Sequence, residues 1–360
     1  MKAIIFAGGV GTRLWPLSRK KSPKQFEKII GNKSTLQLAA TRLLPDFAWE
    51  DMYVSTGKDY VQLVQKQLDK LPPDHVIGEP VMRDVGPAVG LITSLLVREH
   101  PNEPMVILWS DHLVKKDALF RKILRTAGEI VENEPNKILF VSQKPRFPSE
   151  NLGWIEYGKE MLTKNGLSVH ALVDYQYRPD LETAKRYFAS GHHAWNLGYF
   201  VTTPHFLWKQ FERFTPNLYS GLSRIADAWH TGAYEDVLSE IYPTLEKINF
   251  DNAILEKMDK SDALVVSENI EWSDIGAWEA LKEALQEAGD KNVTQGKVML
   301  TDTSDSLVYN YTGQTLVTID VDDMLIVNTD DVVLVCKKTS VPKIKKFVES
   351  LKGTPNEHLT

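Results

Sequence analysis

Ala3-Ile4-Ile5-Phe6-Ala7-Gly8-Gly9-Val10-Gly11-Thr12-Arg13 is the stretch from which the fold is read. The Ala, Ile and Phe run reads as a buried strand, and the glycines that follow punctuate its end. Glycines in that place let a backbone come close to a bound group and leave several N–H donors facing one concavity, which suits a phosphate. The loop is not a P-loop, since no Gly-Lys-Ser/Thr follows. Nor is it the dinucleotide fingerprint, because Leu14 stands where the third glycine belongs. ATPase and Rossmann oxidoreductase readings are therefore disfavoured.

Behind the loop lies a basic run, Arg13, Arg19, Lys20, Lys21 and Lys24, in a chain with 42 Lys and Arg against 48 Asp and Glu. Arg19, Lys20 and Lys21 read equally as a solvated basic face or as phosphate contacts. Arg13 and Lys24 are embedded among apolar residues or proline, which favours a binding role. The net charge of −6, with both signs mixed along the chain, argues against a nucleic-acid or anionic-membrane partner. With 360 residues, 42% apolar and 25% charged, disorder is excluded and about two domains are expected. The lone Cys336 cannot form an internal disulfide, and no run of about 18 uncharged apolar residues occurs, so a cytoplasmic location is expected.

Further along, residues 52–55, 76–77, 106–109 and 138–141 read as strands. Between them, Ser34-Thr35-Leu36-Gln37 is a capping-box pattern opening a helix through Leu44, and 87–97 reads as a buried helix. The pattern predicts an α/β fold: a Rossmann-like, mixed and mostly parallel sheet flanked by helices. From 153 to 202 the runs alternate, interrupted by one helix that starts after Asp180 and ends at Gly191. The character of the chain changes near Asp290, which divides it into domains 1–290 and 291–360. The second is a small β-rich C-terminal domain with strands around Val308, Val317, Ile326 and Val333 and a helix over 340–351; no strict internal repeat is found in it. Its apolar faces are too small to stand alone, so packing on the main domain or in a homodimer is expected.

Local sequence leaves several polar residues with two readings each. Asp111 follows the strand 106–109, where open sheets place ligands, yet it also suits a turn or a cap. Asp274, before Gly276, is equally ambiguous. Glu79 is either a strand-end charge in solvent or a hydrogen-bond acceptor for a bound group. Glu156 could be an outward strand residue and Asn196 a turn former. The histidines form no metal set: His112 has no spaced partner, and His192-His193 reads as an exposed turn.

Residues 7–19, followed by Pro23-Lys24-Gln25-Phe26, resemble the signature of sugar-nucleotide pyrophosphorylases, and Trp15 with Lys24-Gln25-Phe26 resembles the mannose-1-phosphate guanylyltransferase branch. The similarity continues at Glu79-Pro80, Arg83, Pro87-Ala88, Ser110-Asp111-His112, Gly153, Glu156, Trp195-Asn196, Gly198, Asp251, Glu256-Lys257 and 272–278. The resemblance implies a nucleotidyltransferase type A-like fold and a reaction of GTP with a sugar 1-phosphate, giving GDP-mannose and pyrophosphate. It implies Arg13 and Lys24 as catalytic cations, and Gly8, Gly9, Gly11, Thr12, Glu79 and Arg83 as nucleotide contacts. Gly153, Glu156, Tyr177, Arg178 and Asn196 would hold the sugar phosphate, and Asp111 and Asp274 would hold Mg²⁺.

The chain departs from the family at Tyr175-Gln176-Tyr177-Arg178-Pro179, where Phe-x-Glu-Lys-Pro is usual, and at Asp84, where Asn is usual. Arg178 keeps the cation. Tyr177 replaces a carboxylate by a phenol, which leaves open a nucleotidyltransferase for another sugar 1-phosphate. A non-catalytic nucleotide-sugar binding homologue would show damage at Arg13, Lys24, Asp111 or Asp274, and all four residues are present.

Overall fold

The apolar run that opens the chain becomes an inner strand of a large sheet. The computed structural model describes residues 1–9, 11–286 and 291–360, with only the backbone of Thr12 and Glu279; Val10 and the boundary read at residue 290 lie outside the described residues. The chain forms two units. The first comprises Met1–Gly8, Ala40–Trp109 and Val114–Glu271, and the second comprises Gly9–Ala39, Ser110–Leu113 and Trp272–Thr360.

In the first unit, β1 (Lys2–Phe6), β2 (Met52–Gly57), β3 (Val76–Glu79) and β4 (Met105–Trp109) run parallel in the order β3-β2-β1-β4. Ile4 and Ile5, on opposite faces of β1, are both fully buried, as continuous apolar runs in covered parallel strands require. After β5 (His112–Val114), which belongs mainly to the second unit, come β6 (Ile138–Gln143), β7 (Gly153–Lys164), β8 (Leu167–Tyr177), β9 (His193–Thr202) and β10 (Ala263–Glu268). The sheet continues β4-β9-β6-β10-β8-β7, and β7 also pairs with β9. It is mixed because β9 enters antiparallel between β4 and β6, while β6 and β10 are parallel.

Local chemistry accounts for the connections. Asn165 and Gly166, both at positive φ, make the tight turn between β7 and β8. The helix Leu181–Ser190 starts at Asp180, whose carboxylate accepts from Thr183 N (2.9 Å), and stops at Gly191 with φ 73°. The helix Val85–Glu99 is buried from Gly86 to Leu96, and a Cβ on Gly90 would stand 2.5 Å from Leu222 Cδ1 and 3.0 Å from Phe211 Cε1. That helix therefore packs at close range in the core under one sheet face.

In the second unit, Ser34 and Gln37 form the expected reciprocal cap, but the helix is Thr35–Thr41 rather than reaching Leu44. Pro45 disfavours helical geometry at Leu44. Leu14, Trp15 and Leu17 share a core with Ile275, Trp278 and Leu281, and with Val341, Ile344 and Val348. Trp278 Nε1 donates to Trp15 O (3.1 Å), and Trp15 Nε1 donates to Leu359 O (2.8 Å). β11 (Trp272–Asp274) pairs with β5.

The tail holds β12 (Val293–Gln295), β13 (Val298–Ser304), β14 (Leu307–Asn310), β15 (Leu316–Asp322), β16 (Met324–Asn328) and β17 (Val333–Lys337), then the helix Pro342–Ser350. Here the sequence reading is corrected, because a repeat does exist. β12, β14 and β16 stack in parallel, as do β13 and β15, with Leu307 opposite Leu325, Asn310 opposite Asn328 and Val298 opposite Leu316. Each pair is 18 residues apart, one coil of a parallel β-helix. The period escapes notice because few of the stacked pairs share an identity. Asn310 and Asn328 share an identity, and Asn328 Nδ2 donates to Asn310 Oδ1 (3.1 Å).

Candidate active site

The second unit gathers four of the sequence-derived residues. Lys24 follows Pro23 and opens a short 3₁₀ turn, Lys24–Phe26. Its stem lies along Gly11, where φ is +65° and a Cβ would come within 2.7 Å of Lys24 Cγ and Cδ. The buried ammonium of Lys24 sits 2.7 Å from Asp111 Oδ2 and donates to Ile275 O (3.1 Å). Gln25 Nε2 ties the loop by donating to Gly9 O (3.2 Å). Ile275 N donates to Asp111 O (3.3 Å), which sets Asp111 next to the strand end carrying Asp274. Gly276 lies against both Arg13 and Asp274: a Cβ there would be 3.1 Å from Arg13 Nη2 and 3.6 Å from Asp274 Oδ2.

Electrostatics separates the two carboxyls. Burial pushes Asp111 up, but the Lys24 ammonium, helped by His112, outweighs it and holds the group at about 2. Asp274 stays raised: burial drives it up and the charge on Asp111 adds to that, against the opposing pull of Lys24 and Arg13. Two neighbouring hard-oxygen ligands, one of them short of positive charge, fit a divalent cation that also takes phosphate oxygens. Among the described residues no group of three or more His, Cys, Asp or Glu is placed to hold a metal by itself. Arg19 is used otherwise, forking onto both oxygens of Asp331 at 2.6 Å.

In the first unit, a Cβ on Gly8 would meet nothing within 4 Å. Glu79 ends β3, accepting from Tyr242 OH (2.6 Å) and, at 3.5 Å, from Ser55 Oγ. Burial pushes its carboxyl up to about 7 despite those donors. Arg83 is half-buried, and its buried Nε has no hydrogen-bond partner among the described residues. Asp84, at φ 70°, caps the helix Val85–Glu99 by accepting from Val85 N (2.8 Å).

The expected sugar-phosphate residues, also in the first unit, fall into three groups. Gly153 and Asn196 pair across β7 and β9, and both touch Tyr175: a Cβ on Gly153 would be 3.2 Å from Tyr175 OH, and Asn196 Nδ2 donates to that oxygen (3.4 Å). Glu156 lies three residues further along β7, with His192 Nε2 at 3.5 Å and His193 Nε2 at 4.0 Å. His193 is buried in β9, so the histidine pair is only half exposed. Tyr177 and Arg178 are exposed, the guanidinium 5.0 Å from the Tyr177 ring centroid and its Nε donating to Asn151 O (3.3 Å). Sequence reasoning missed Tyr175, whose phenol donates to Asp251, and Tyr242, which holds Glu79. For Tyr175 a signal was present, namely its place in the segment that departs from the family.

Residues 2–291 match the family described as Nucleotidyl transferase, and 296–351 match a MannoseP isomerase/GMP-like beta-helix domain. A mannose-1-phosphate guanylyltransferase of Escherichia coli is 31% identical over 97% of this chain and 73% of its own length. Mannose-1-phosphate guanylyltransferase 2 of Escherichia coli O157:H7 is 29% identical over the same shares. A crystal structure described as a mannose-1-phosphate geranyltransferase from Thermus thermophilus superposes with a TM-score of 0.86 at 27% identity, covering 98% of this chain and 99% of that one. Among the described residues no helix is long and apolar enough to cross a membrane.

Proposed function

Because the chain belongs to the nucleotidyl transferase family, we propose that it forms GDP-mannose and pyrophosphate from GTP and mannose 1-phosphate. The observation that carries this reading is the cluster of Arg13, Lys24, Asp111 and Asp274 in the second unit. In the reaction an oxygen of the sugar phosphate attacks the α-phosphorus, the bond from that phosphorus to the bridging oxygen breaks, and pyrophosphate leaves with the electron pair. The nucleophile is already an anion, so no general base is needed. The chain has to align and neutralise several negative charges.

Arg13 takes the departing β- and γ-phosphates, and Lys24 the α-phosphate or the attacking phosphate. Backbone N–H groups of Gly9, Gly11 and Thr12 complete the phosphate cradle, and backbone groups near Gly8 contact the ribose. Glu79 accepts the N1–H and 2-amino donors of guanine, supported by Arg83. Gly153, Glu156, Tyr177, Arg178 and Asn196 hold the sugar phosphate, with Arg178 on the phosphate itself. Asp111 and Asp274 would hold Mg²⁺, a fit supported by their neighbouring hard oxygens. When bound, that cation supplies Lewis-acid charge to the phosphate oxygens.

A functional division near residue 290 is supported by family matches ending at 291 and starting at 296. A homodimer is supported by the exposed apolar side chains of Met299, Val317 and Ile319 on the tail. A cytoplasmic location rests on the lone cysteine. The test is pyrophosphate release across a matrix of nucleoside triphosphates and aldose 1-phosphates. Turnover should be fastest with GTP, mannose 1-phosphate and Mg²⁺ together; a clear preference for another pair, or equal turnover in excess EDTA, rejects the reading.

A further inference from the structure

Within the first unit a chain of hydrogen bonds runs toward one carboxylate. Asn196 Oδ1 is fixed by Gly198 N (3.0 Å), which turns Nδ2 toward Tyr175 OH (3.4 Å), and the Tyr175 phenol donates onward to Asp251 Oδ1. The phenol presses over the bare Cα of Gly153. Asp251 opens a π-helical turn, Asp251–Leu255, anchored by buried Phe250, Ala253, Ile254 and Leu255, so its backbone has little freedom. Tyr175 has spent its one donor on Asp251 and can give none to a ligand. The Asp251 carboxylate, with about four lone-pair sites, still has acceptor capacity after taking that proton. Burial and the neighbouring charge of Glu256 raise the Asp251 carboxyl, opposed by the Tyr175 donation and by the charge of Arg178. A half-buried acceptor within electrostatic reach of an arginine matches a small molecule with a phosphate at one end and hydroxyls at the other.

We infer that Asp251 is a specificity-determining residue that accepts sugar hydroxyls of the aldose 1-phosphate, and that Tyr175 is its positioning residue. This rests on the guanylyltransferase reading and deepens its sugar half. Tyr177 does not serve as that acceptor: its ring lies under Arg178 and its side chain is 43% exposed.

The test titrates mannose 1-phosphate and its monodeoxy analogues calorimetrically into the full chain and its variants, and measures KM for both substrates by pyrophosphate release. Asp251→Asn should weaken mannose 1-phosphate by about 10- to 100-fold while KM for GTP moves less than about twofold. Tyr175→Phe should weaken it by about 3- to 10-fold, with an unchanged circular dichroism spectrum. The wild type should reject at least one deoxy analogue, and Asp251→Asn should bind that analogue and the parent alike. Unchanged affinity and unchanged discrimination in Asp251→Asn overturn the inference, as does an equal loss for GTP. Should Asp251→Asn not fold, Tyr175→Phe decides, wild-type affinity and discrimination counting against the inference. A wild type that binds mannose 1-phosphate but does not turn over GTP rejects the guanylyltransferase reading alone, and the binding comparison still decides the role of Asp251.

Discussion

The side-chain stem of Lys24 occupies the space that a Cβ on Gly11 would need, with 2.7 Å between that position and Lys24 Cγ and Cδ. The glycine is thus required twice, once for its φ of +65° and once for the lysine that crosses it. Gly11→Ala should cost roughly 1–2 kcal/mol of stability and lower kcat/KM by about 10- to 100-fold, as the ammonium is moved off Asp111. Gly9→Ala is the control, since its φ is +86° but its Cβ would meet nothing within 4 Å. Equal losses of activity in the two variants would mean that backbone strain, and not the Lys24 contact, is what matters.

Lys24→Ala and Arg13→Ala should each lower kcat/KM by at least about 10²-fold, since each removes a cation from a transition state rich in negative charge. Steady-state kinetics with GTP and mannose 1-phosphate measure this. Near wild-type values for both would reduce the basic run to a solvated face.

Asp111→Asn and Asp274→Asn should lose activity with circular dichroism and melting close to wild type, because an amide keeps the shape but binds Mg²⁺ poorly. Raising Mg²⁺ should recover part of the activity. If Asp274→Asn is fully active at ordinary Mg²⁺, the metal is held by other residues.

Glu79 predicts a pH dependence. Its folded value of about 7 lies above the ordinary 4.5, so the folded protein favours the protonated carboxyl. The folded state then holds more protons than the unfolded one, and stability falls as pH rises from about 4.5 to 7, by on the order of 2–3 kcal/mol. Above about 7 the ionised form, the better acceptor for guanine, prevails, so KM for GTP should fall as pH rises through 7. Glu79→Gln should flatten both profiles in urea titrations and kinetics. An unaltered KM profile in that variant would remove Glu79 from base recognition.

The Asn310–Asn328 bond offers a test of the β-helix. Asn310 Nδ2 also donates to Lys297 O (3.0 Å) and Gln314 O (2.6 Å), so Asn310→Ala strands several buried polar groups at once. Urea unfolding should register a loss of about 2–4 kcal/mol. A change below about 0.5 kcal/mol would show that water replaces the amide without penalty.

What the sequence disclosed follows from the range of the interactions. The glycine loop and the start after Asp180 and stop at Gly191 of one helix depend on neighbours a few residues away, and they are legible as local chemistry or pattern. The bond from Lys24 to Ile275 joins positions 251 residues apart, and no local pattern could place Asp111 beside that lysine. Resemblance supplied the residues there, and packing supplied their geometry. The β-helix stayed hidden because its coils repeat shape and apolarity more than identity. The partnership of Tyr175 with Asp251, 76 residues on, follows from the pairing of β7, β8 and β9 and could not be read from either residue.

Trp15 and Arg19 find their partners at Leu359 and Asp331, 344 and 312 residues downstream. At 5–20 residues per second, a ribosome needs roughly 15 to 70 s to deliver those partners after the loop has emerged. Through that interval the core that takes in Leu14, Trp15, Leu17 and Ile29 is incomplete, so the segment that carries the chemistry waits as partly exposed apolar chain. A nascent chain arrested before Asp331 should therefore be a chaperone client, and the phosphate loop should gain protease resistance only as translation passes the β-helix.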